Sequence, residues 1–136
     1  MRLPALVAAL LLAGCAAGPP PCAPGLTPSV GLTGMFGLSL PGGGMVAPEA
    51  WRGFVEAELT PRFPSGYTIT EATGSWRNRR GEIVSVPTRL FFVLAPAEDA
   101  AKARRELEAA IAAWLRQTRQ ESVGLLVQPG CTGGLF

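Results

Sequence analysis

The sequence predicts an α+β domain with the element order β-α-β-β-α-β. Two segments repeat their apolar residues at helical spacing, one around Trp51 and one around Leu107. Four other segments have the alternating or continuously apolar character of strands, and turns that contain Gly or Pro separate them. One strand precedes the first helix, two lie between the helices and one follows the second. This order is typical of an antiparallel sheet with helices packed against it.

The first half of the domain contains a strand, a helix and a second strand. The first strand begins near Val30, and the glycine-rich segment Pro41–Gly44 breaks the chain after it. Pro48 suits the first turn of a helix, and this helix ends before Pro61. A threonine-rich strand follows from Tyr67 to about Trp76. The apolar stripe of the helix consists of Trp51, Phe54, Val55 and Leu59.

The third strand is predicted from Ile83 to Leu94, with Pro87 interrupting it. Its last residues, 90–94, are apolar at every position, which is typical of a strand covered on both faces. Two helices on one side of a sheet cover one face only. A second copy of the chain or an apolar ligand is needed for the other face, and we favour a homodimer through this open sheet face.

A second helix and a fourth strand complete the domain. The helix begins near Glu98, whose carboxylate suits a helix N-terminus, and the strand runs from Ser122 to Val127 before Pro129 ends it. The buried stripe of this helix consists of Ala100, Ala103, Leu107, Ala110, Ile111 and Trp114. The commonest fold with this order is a ferredoxin-like sandwich, in which four antiparallel strands carry both helices on one face.

Two cysteines, Cys22 and Cys131, flank the first and last predicted strands. In the ferredoxin-like arrangement these strands are antiparallel neighbours, so the start of one meets the end of the other. We therefore predict a disulfide between them, which requires an oxidising compartment. Two free thiols are the alternative.

The N-terminus has the pattern of a bacterial lipoprotein signal. Arg2 precedes an apolar run that leads into Leu12-Ala13-Gly14-Cys15, a lipobox. The run is too short to span a bilayer, which takes about 20 residues. Cys15 is the predicted lipidation site, and two or more acyl chains such as palmitate give stable anchoring.

The predicted organisation has three parts: a signal peptide at residues 1–14, a lipidated Pro-rich tether at 15–28 and a single α+β domain at 29–136. Ala16 follows the lipidated cysteine, and no aspartate stands there as a retention signal. We therefore expect the protein on the periplasmic side of the outer membrane and favour this site over the inner membrane.

The composition argues against several function classes. The 12 basic and 10 acidic side chains leave a net charge of +2 without a basic stripe, which argues against nucleic-acid binding. Histidine is absent, which removes Ser-His-Asp and Cys-His nucleophiles and nearly all zinc chemistry. We predict no metal, no cofactor and no catalytic residue.

Three features are candidate binding elements. Gly43 and Gly44 could present backbone N–H groups to an anion, although a turn with positive φ also explains them. Arg62 lies in a proline-flanked loop and could clamp an anion; the alternative is a cap on the carbonyls of the first helix. Trp76 and Arg77 could form an aromatic and cationic surface; the alternative is a solvated hairpin tip whose tryptophan packs in the core.

Several motifs carry a family resemblance: Met35-Phe36-Gly37, Pro41–Gly44 with Val46 and Trp51, Thr60–Gly66, Gly74–Arg77 with Gly81, and Gln120–Val123. Through them most of the domain resembles an uncharacterised bacterial family, domain of unknown function 3574. The resemblance implies a lipoprotein or a secreted protein. It transfers no catalytic residues, because the family has no established activity. The chain departs from the family pattern at Leu38 and Val86, where basic and acidic residues are frequent.

Three function classes remain open. The first is a non-catalytic envelope module that binds a small ligand, a glycan or a partner protein. The second is a small cofactor-independent enzyme that uses a dimer cavity and depends on Arg62, Tyr67 or Glu121; it rests on analogy between folds. The third is a structural lipoprotein that acts by tethering alone. We favour the first, with membrane lipid bound through Cys15 and an unknown envelope partner or small ligand.

Overall fold

The computed structural model describes Gly18 and residues 21–134. The signal peptide and the lipidation site Cys15 lie outside the described residues. The elements within them are β1 (Thr27–Gly37), α1 (Pro48–Phe54), β2 (Thr68–Arg77), β3 (Ile83–Pro96), α2 (Ala100–Thr118) and β4 (Gly124–Thr132). A π-helical turn, Val55–Leu59, extends α1, and a 3₁₀ turn, Ala97–Asp99, leads into α2. The α+β class, the four-stranded antiparallel sheet and the two α-helices are confirmed.

The sheet has the strand order β2-β3-β1-β4, and all neighbouring strands are antiparallel. Residues 29–37 of β1 pair with β3, and residues 27–35 pair with β4. The first and last strands are therefore neighbours, as predicted. Cys22 and Cys131 form a disulfide with their Cα atoms 5.7 Å apart.

Three prolines that the sequence prediction placed at a strand break, at a strand end or in the tether belong to strands. Pro87 does not interrupt β3, Pro129 does not end β4, and Pro28, which was assigned to the tether, belongs to β1. Pro28 and Pro129 lie where their strand has a neighbour on one side only, because β1 begins before its pairing with β3 and β4 is an edge strand. Pro87 lies beside Leu38, whose N–H donates to the Pro87 carbonyl oxygen, but the Leu38 carbonyl oxygen accepts from the N–H of Val46 and so needs no donor from Pro87. A strand with a free side has N–H groups that no neighbour needs, so proline costs little there.

The core lies between one face of the sheet and the helices. The side chains of α2 that face it include Ala103, Leu107, Ala110 and Trp114, all members of the predicted stripe. Four aromatic rings meet in this core, with centroids 4.8–5.7 Å apart: Phe36, Trp51, Phe54 and Trp114. Burial of these rings supplies much of the apolar stabilisation of the domain.

Gln120 connects the end of α2 to the chain that leaves β1. Its side-chain amide nitrogen donates hydrogen bonds to the carbonyl oxygens of Gly37 and Ser39, at 2.7 and 2.9 Å. Its oxygen accepts one from the indole nitrogen of Trp114 at 3.1 Å. Arg119, just before it, ends α2 in the left-handed conformation, at φ 58°. One amide thus satisfies the buried indole and fixes the loop that leads to α1.

Candidate functional site

The sheet face opposite the helices is not covered by any described element. Strand alternation and the pairing register determine which positions lie on this face. They are the odd-numbered positions 29–37 of β1 and the even-numbered positions 68–76 of β2, 84–94 of β3 and 124–130 of β4. We call these positions the open face. The ring of Phe92 lies close above Gly31, where an added Cβ would be 3.2 Å from the ring atom Cε2.

No position of the open face carries an ionisable side chain. The ionisable residues of the four described strands, Glu71, Arg77 and Arg89, all lie on the helix side of the sheet. Large apolar side chains on the open face are exposed by 37–55%: Met35, Trp76, Phe92, Leu94 and Leu126. Large apolar side chains that gather on one exposed, uncharged face are typical of interaction sites.

Trp76 is exposed on the open face and does not pack in the core. Arg77 is its neighbour along β2 and therefore points to the opposite side of the sheet, where its guanidinium donates a hydrogen bond to the carbonyl oxygen of Gly81. Arg79 lies 3.7 Å from Glu121, and both side chains are almost fully exposed. Trp76 and Arg77 thus do not form one aromatic and cationic surface, and Trp76 belongs to the open face.

Arg62 caps a carbonyl group at the end of the first helical segment, which was the alternative interpretation of this residue. Its Nη1 donates to the carbonyl oxygen of Glu58 at 2.8 Å and lies 2.7 Å from the Glu58 carboxylate. Its buried Nε lies 3.5 Å from the carboxylate of Glu106 on α2, an ion pair rather than a hydrogen bond. Two carboxylates therefore balance this cation and hold the π-helical turn against α2. Arg62 as an anion clamp remains a prediction.

Gly43 and Gly44 lie in a turn with positive φ angles, as the alternative interpretation of these glycines predicted. Their φ angles are 106° and 88°, in the region that favours glycine. The N–H of Gly43 donates to the carbonyl oxygen of Leu40, and the N–H of Leu40 donates to the carbonyl oxygen of Gly44. Because the Gly43 N–H is used in this turn, the segment has one donor fewer for an anion.

A cleft of about 410 Å³ lies between α1 and the strands β2 and β3. Its apolar lining includes Trp51, Val55 and Ile69, and its charged groups are those of Arg52, Glu71 and Arg89. Glu71 and Arg89 are direct cross-strand partners, and an Arg89 nitrogen lies 2.9 Å from a Glu71 oxygen. The side chain of Arg89 is 24% exposed, whereas that of Glu71 is 82% exposed.

No pattern in the sequence indicates this cleft, since its lining comes from four separate segments of the chain. Only the register of β2 against β3 places Glu71 opposite Arg89. A weak signal was available, because both charges fall on the alternation of β2 and β3 that faces the helices. Among the described residues, no group of three or more His, Cys, Asp or Glu side chains is placed to hold a metal ion. No described helix combines the length and the apolarity that crossing a membrane requires.

These features define a small disulfide-bonded α+β protein with an uncharged sheet face and a cleft that contains two arginines. Residues 33–133 match the family described as Protein of unknown function (DUF3574), and the chain belongs to this family. The resemblance identified from the sequence motifs is thereby confirmed. No curated protein shows significant sequence similarity to the chain.

Solved structures of other proteins are similar to this chain. A phage SAM lyase in complex with S-methyl-5'-thioadenosine has a TM-score of 0.54 and 14% identity, covering 78% of this chain and 90% of its own. A phage SAM lyase in the apo state has a TM-score of 0.52 and 13% identity, covering 88% and 98%. CutA from Synechococcus elongatus has a TM-score of 0.49 and 12% identity, covering 79% and 81%. At such identities, the similarity to the lyases describes the fold alone.

Proposed function

We propose that this protein is a lipid-anchored, non-catalytic module of the bacterial envelope that acts by protein binding through its open face, with a second copy of the chain as partner. The observation that carries the proposal is the lack of charge on this face. Every ionisable side chain of the four strands lies on the other side of the sheet, while apolar side chains such as Phe92 and Leu94 are exposed.

The absence of charge on the open face supports a second copy of the chain as the partner that covers it. A surface without charges is covered at the lowest desolvation cost by another surface without charges, and a second copy presents one of the same size. Four strands about 4.8 Å apart with nine paired residues each give a flat area of roughly 600 Å². Because side chains project from the sheet, the accessible area of the face is larger than this flat value. A standard interface buries about 800 Å² per partner, so the face is of a suitable size.

The oligomeric state of two matched variants tests this proposal. Leu94 lies on the open face and Ile83 lies on the other alternation of the same strand, and both are exposed, by 41% and 61%. We expect the wild-type chain from Ala16 onward to be a dimer in light scattering coupled to size exclusion. Leu94→Lys should be a folded monomer because the dimer would bury an unpaired ammonium group, whereas Ile83→Lys should remain a dimer. A monomeric wild type, or a dimeric Leu94→Lys, would contradict the proposal.

The envelope location rests on the lipobox that ends at Cys15 and on the disulfide. A bond between Cys22 and Cys131 is typical of an oxidising compartment such as the periplasm. Cys15 provides the attachment for the acyl chains, and lipid anchoring by two or more chains is stable.

Replacement of Cys15 by serine tests the anchor. In cells, the wild-type protein should be found in the outer-membrane fraction and incorporate a palmitate analogue. Cys15→Ser should lose both properties, because the thiol that receives the lipid is gone. Cys22→Ser is the matched control and should keep both. An unlabelled wild type, or a membrane-bound Cys15→Ser, would exclude a lipoprotein.

The described geometry favours binding over catalysis. An acid or base that works at neutral pH normally lies in a desolvated setting, where its proton affinity is tuned. The carboxylates of Glu71 and Glu121 are each 82% exposed. The Tyr67 hydroxyl already shares a hydrogen bond with Thr60 at 2.8 Å. These contacts supply no desolvated proton-transfer group, so the enzyme alternative gains no support from them.

A further inference from the structure

We infer that the cleft between α1 and the strands β2 and β3 binds a small organic carboxylate, with the apolar body of the ligand against Trp51. This site lies on the helix side of the sheet and is separate from the open face. It therefore adds a ligand to a protein whose proposed function is protein binding, and its test does not depend on the oligomeric state.

The size and lining of the cleft suit a small molecule. Its volume of about 410 Å³ falls within the range of roughly 300–1,000 Å³ that is usual for ligand pockets. Trp51, Val55 and Ile69 give it an apolar side, and Trp51 is held in place by the rings of Phe36 and Trp114. A flat apolar ligand thus meets a preformed aromatic surface, so its binding carries no entropic cost for fixing the Trp51 side chain.

The charges of the cleft select an anion. Arg52 and Arg89 contribute two positive charges, and Glu71 is the one acidic residue in the lining. Arg52 has no ion pair among the described residues, whereas Arg89 is paired with Glu71. The net charge of the lining is therefore positive, and a guanidinium group presents a planar fork of donors that matches a carboxylate.

The contact between Arg89 and Glu71 points to a carboxylate in particular. Arg89 already holds a carboxylate oxygen at 2.9 Å, so the cleft has the geometry for this group. Because the Glu71 side chain is 82% exposed, it can turn into solvent without disturbing the fold. A ligand carboxylate can then take its place beside Arg89 and also reach Arg52. Glu71 acts as an internal competitor that the ligand must displace.

This displacement predicts opposite effects for two single substitutions in the same cleft. Arg52→Gln removes one of the two cations and should weaken carboxylate binding about tenfold, as expected for the loss of one charge-assisted contact. Glu71→Gln removes the competitor and should strengthen binding roughly two- to fivefold, the range expected for release of an exposed ion pair. Arg116→Gln changes the net charge as Arg52→Gln does, on the exposed side of α2, and should leave the affinity unchanged.

Titration with 3-phenylpropionate tests the inference, with affinity from calorimetry and location from the NMR signals of the tryptophan indole groups. The chain has three tryptophans, of which Trp51 lines the cleft, Trp76 lies on the open face and Trp114 is buried. We expect saturable binding that shifts the Trp51 signal, and much weaker binding of the uncharged 3-phenylpropanamide. Four results would overturn the inference: no binding at millimolar probe, equal binding of the amide, equal weakening by Arg52→Gln and Arg116→Gln, or a shift confined to Trp76.

Discussion

Replacing Cys22 and Cys131 together by serine is expected to lower the free energy of unfolding by about 4–5 kcal/mol. The disulfide closes a loop with a sequence separation of 109 residues, so it removes many conformations from the unfolded chain. In the folded state it joins the segment that precedes β1 to the end of β4, and these two strands already pair with each other. The native structure therefore needs no rearrangement to hold the bond. Urea unfolding of the chain from Ala16 onward, followed by circular dichroism, measures the loss.

The single variants provide the control for this prediction. Cys22→Ser and Cys131→Ser each break the same bond, so each should lose about as much stability as the double variant, and their effects should not add. Wild-type protein in reductant should match them. A double variant that loses less than about 1 kcal/mol, well below the usual range for disulfide removal, would show that the bond does not constrain the unfolded chain as described.

Trp114→Ala is expected to cost about 3–5 kcal/mol of folding stability. The side chain is fully buried, and its ring lies 4.8 Å from that of Phe54 and 5.3 Å from that of Trp51, centroid to centroid. Its removal opens a cavity at the centre of the aromatic core that the neighbouring rings can fill only in part. It also leaves the side-chain oxygen of Gln120 without its donor.

Two further variants separate these contributions. Trp114→Phe keeps an aromatic ring but removes the indole N–H, so it should cost about 1–3 kcal/mol, the usual penalty of an unsatisfied buried acceptor. Arg116→Ala, an exposed change on the same helix, should stay within about 0.5 kcal/mol of the wild type. Chemical unfolding of all three variants checks the order. An alanine variant as stable as the wild type would mean that Trp114 is not a central residue of the core.

Much of the fold was predictable from the sequence, because local patterns and turns set the elements. In α2, four of the six residues of the predicted apolar stripe are buried, and the other two, Ala100 and Ile111, are partly buried against the core. A long amphipathic helix has a single periodicity, which makes its buried face readable from the sequence. The strands were harder to delimit. Proline ends a strand only where the strand needs its N–H on that side, and strand order decides this. Pro129 was misjudged because it lies in β4, an edge strand, where a proline N atom can face away from the neighbouring strand.

The candidate sites were less predictable, because they depend on register and on long-range contacts. Trp76 and Arg77 are adjacent in sequence, yet strand alternation separates them onto opposite faces. Glu71 and Arg89 are distant in sequence, yet the β2–β3 register makes them partners. Gln120 was noted as part of a motif, but its bonds to Gly37 and Ser39 span more than eighty residues. No local pattern indicates such a contact.

The disulfide and the cleft lie at different ends of the sheet. The disulfide holds Cys22 near the start of β1, whereas Leu38, directly after β1, lines the cleft. The 11 residues of β1 separate these points by about 36 Å, at roughly 3.3 Å per residue. In our proposal, a lipid-anchored dimer would therefore hold its clefts away from the attachment points of its tethers.

Native mass spectrometry without reductant, on the chain from Ala16 onward, tests the central claim most directly. We expect a non-covalent dimer in which each chain carries its own disulfide between Cys22 and Cys131. Under denaturing conditions the dimer should separate into monomers. A stable monomer at micromolar concentration would contradict the proposal, because the uncharged open face would then be tolerated in water without a second copy to cover it.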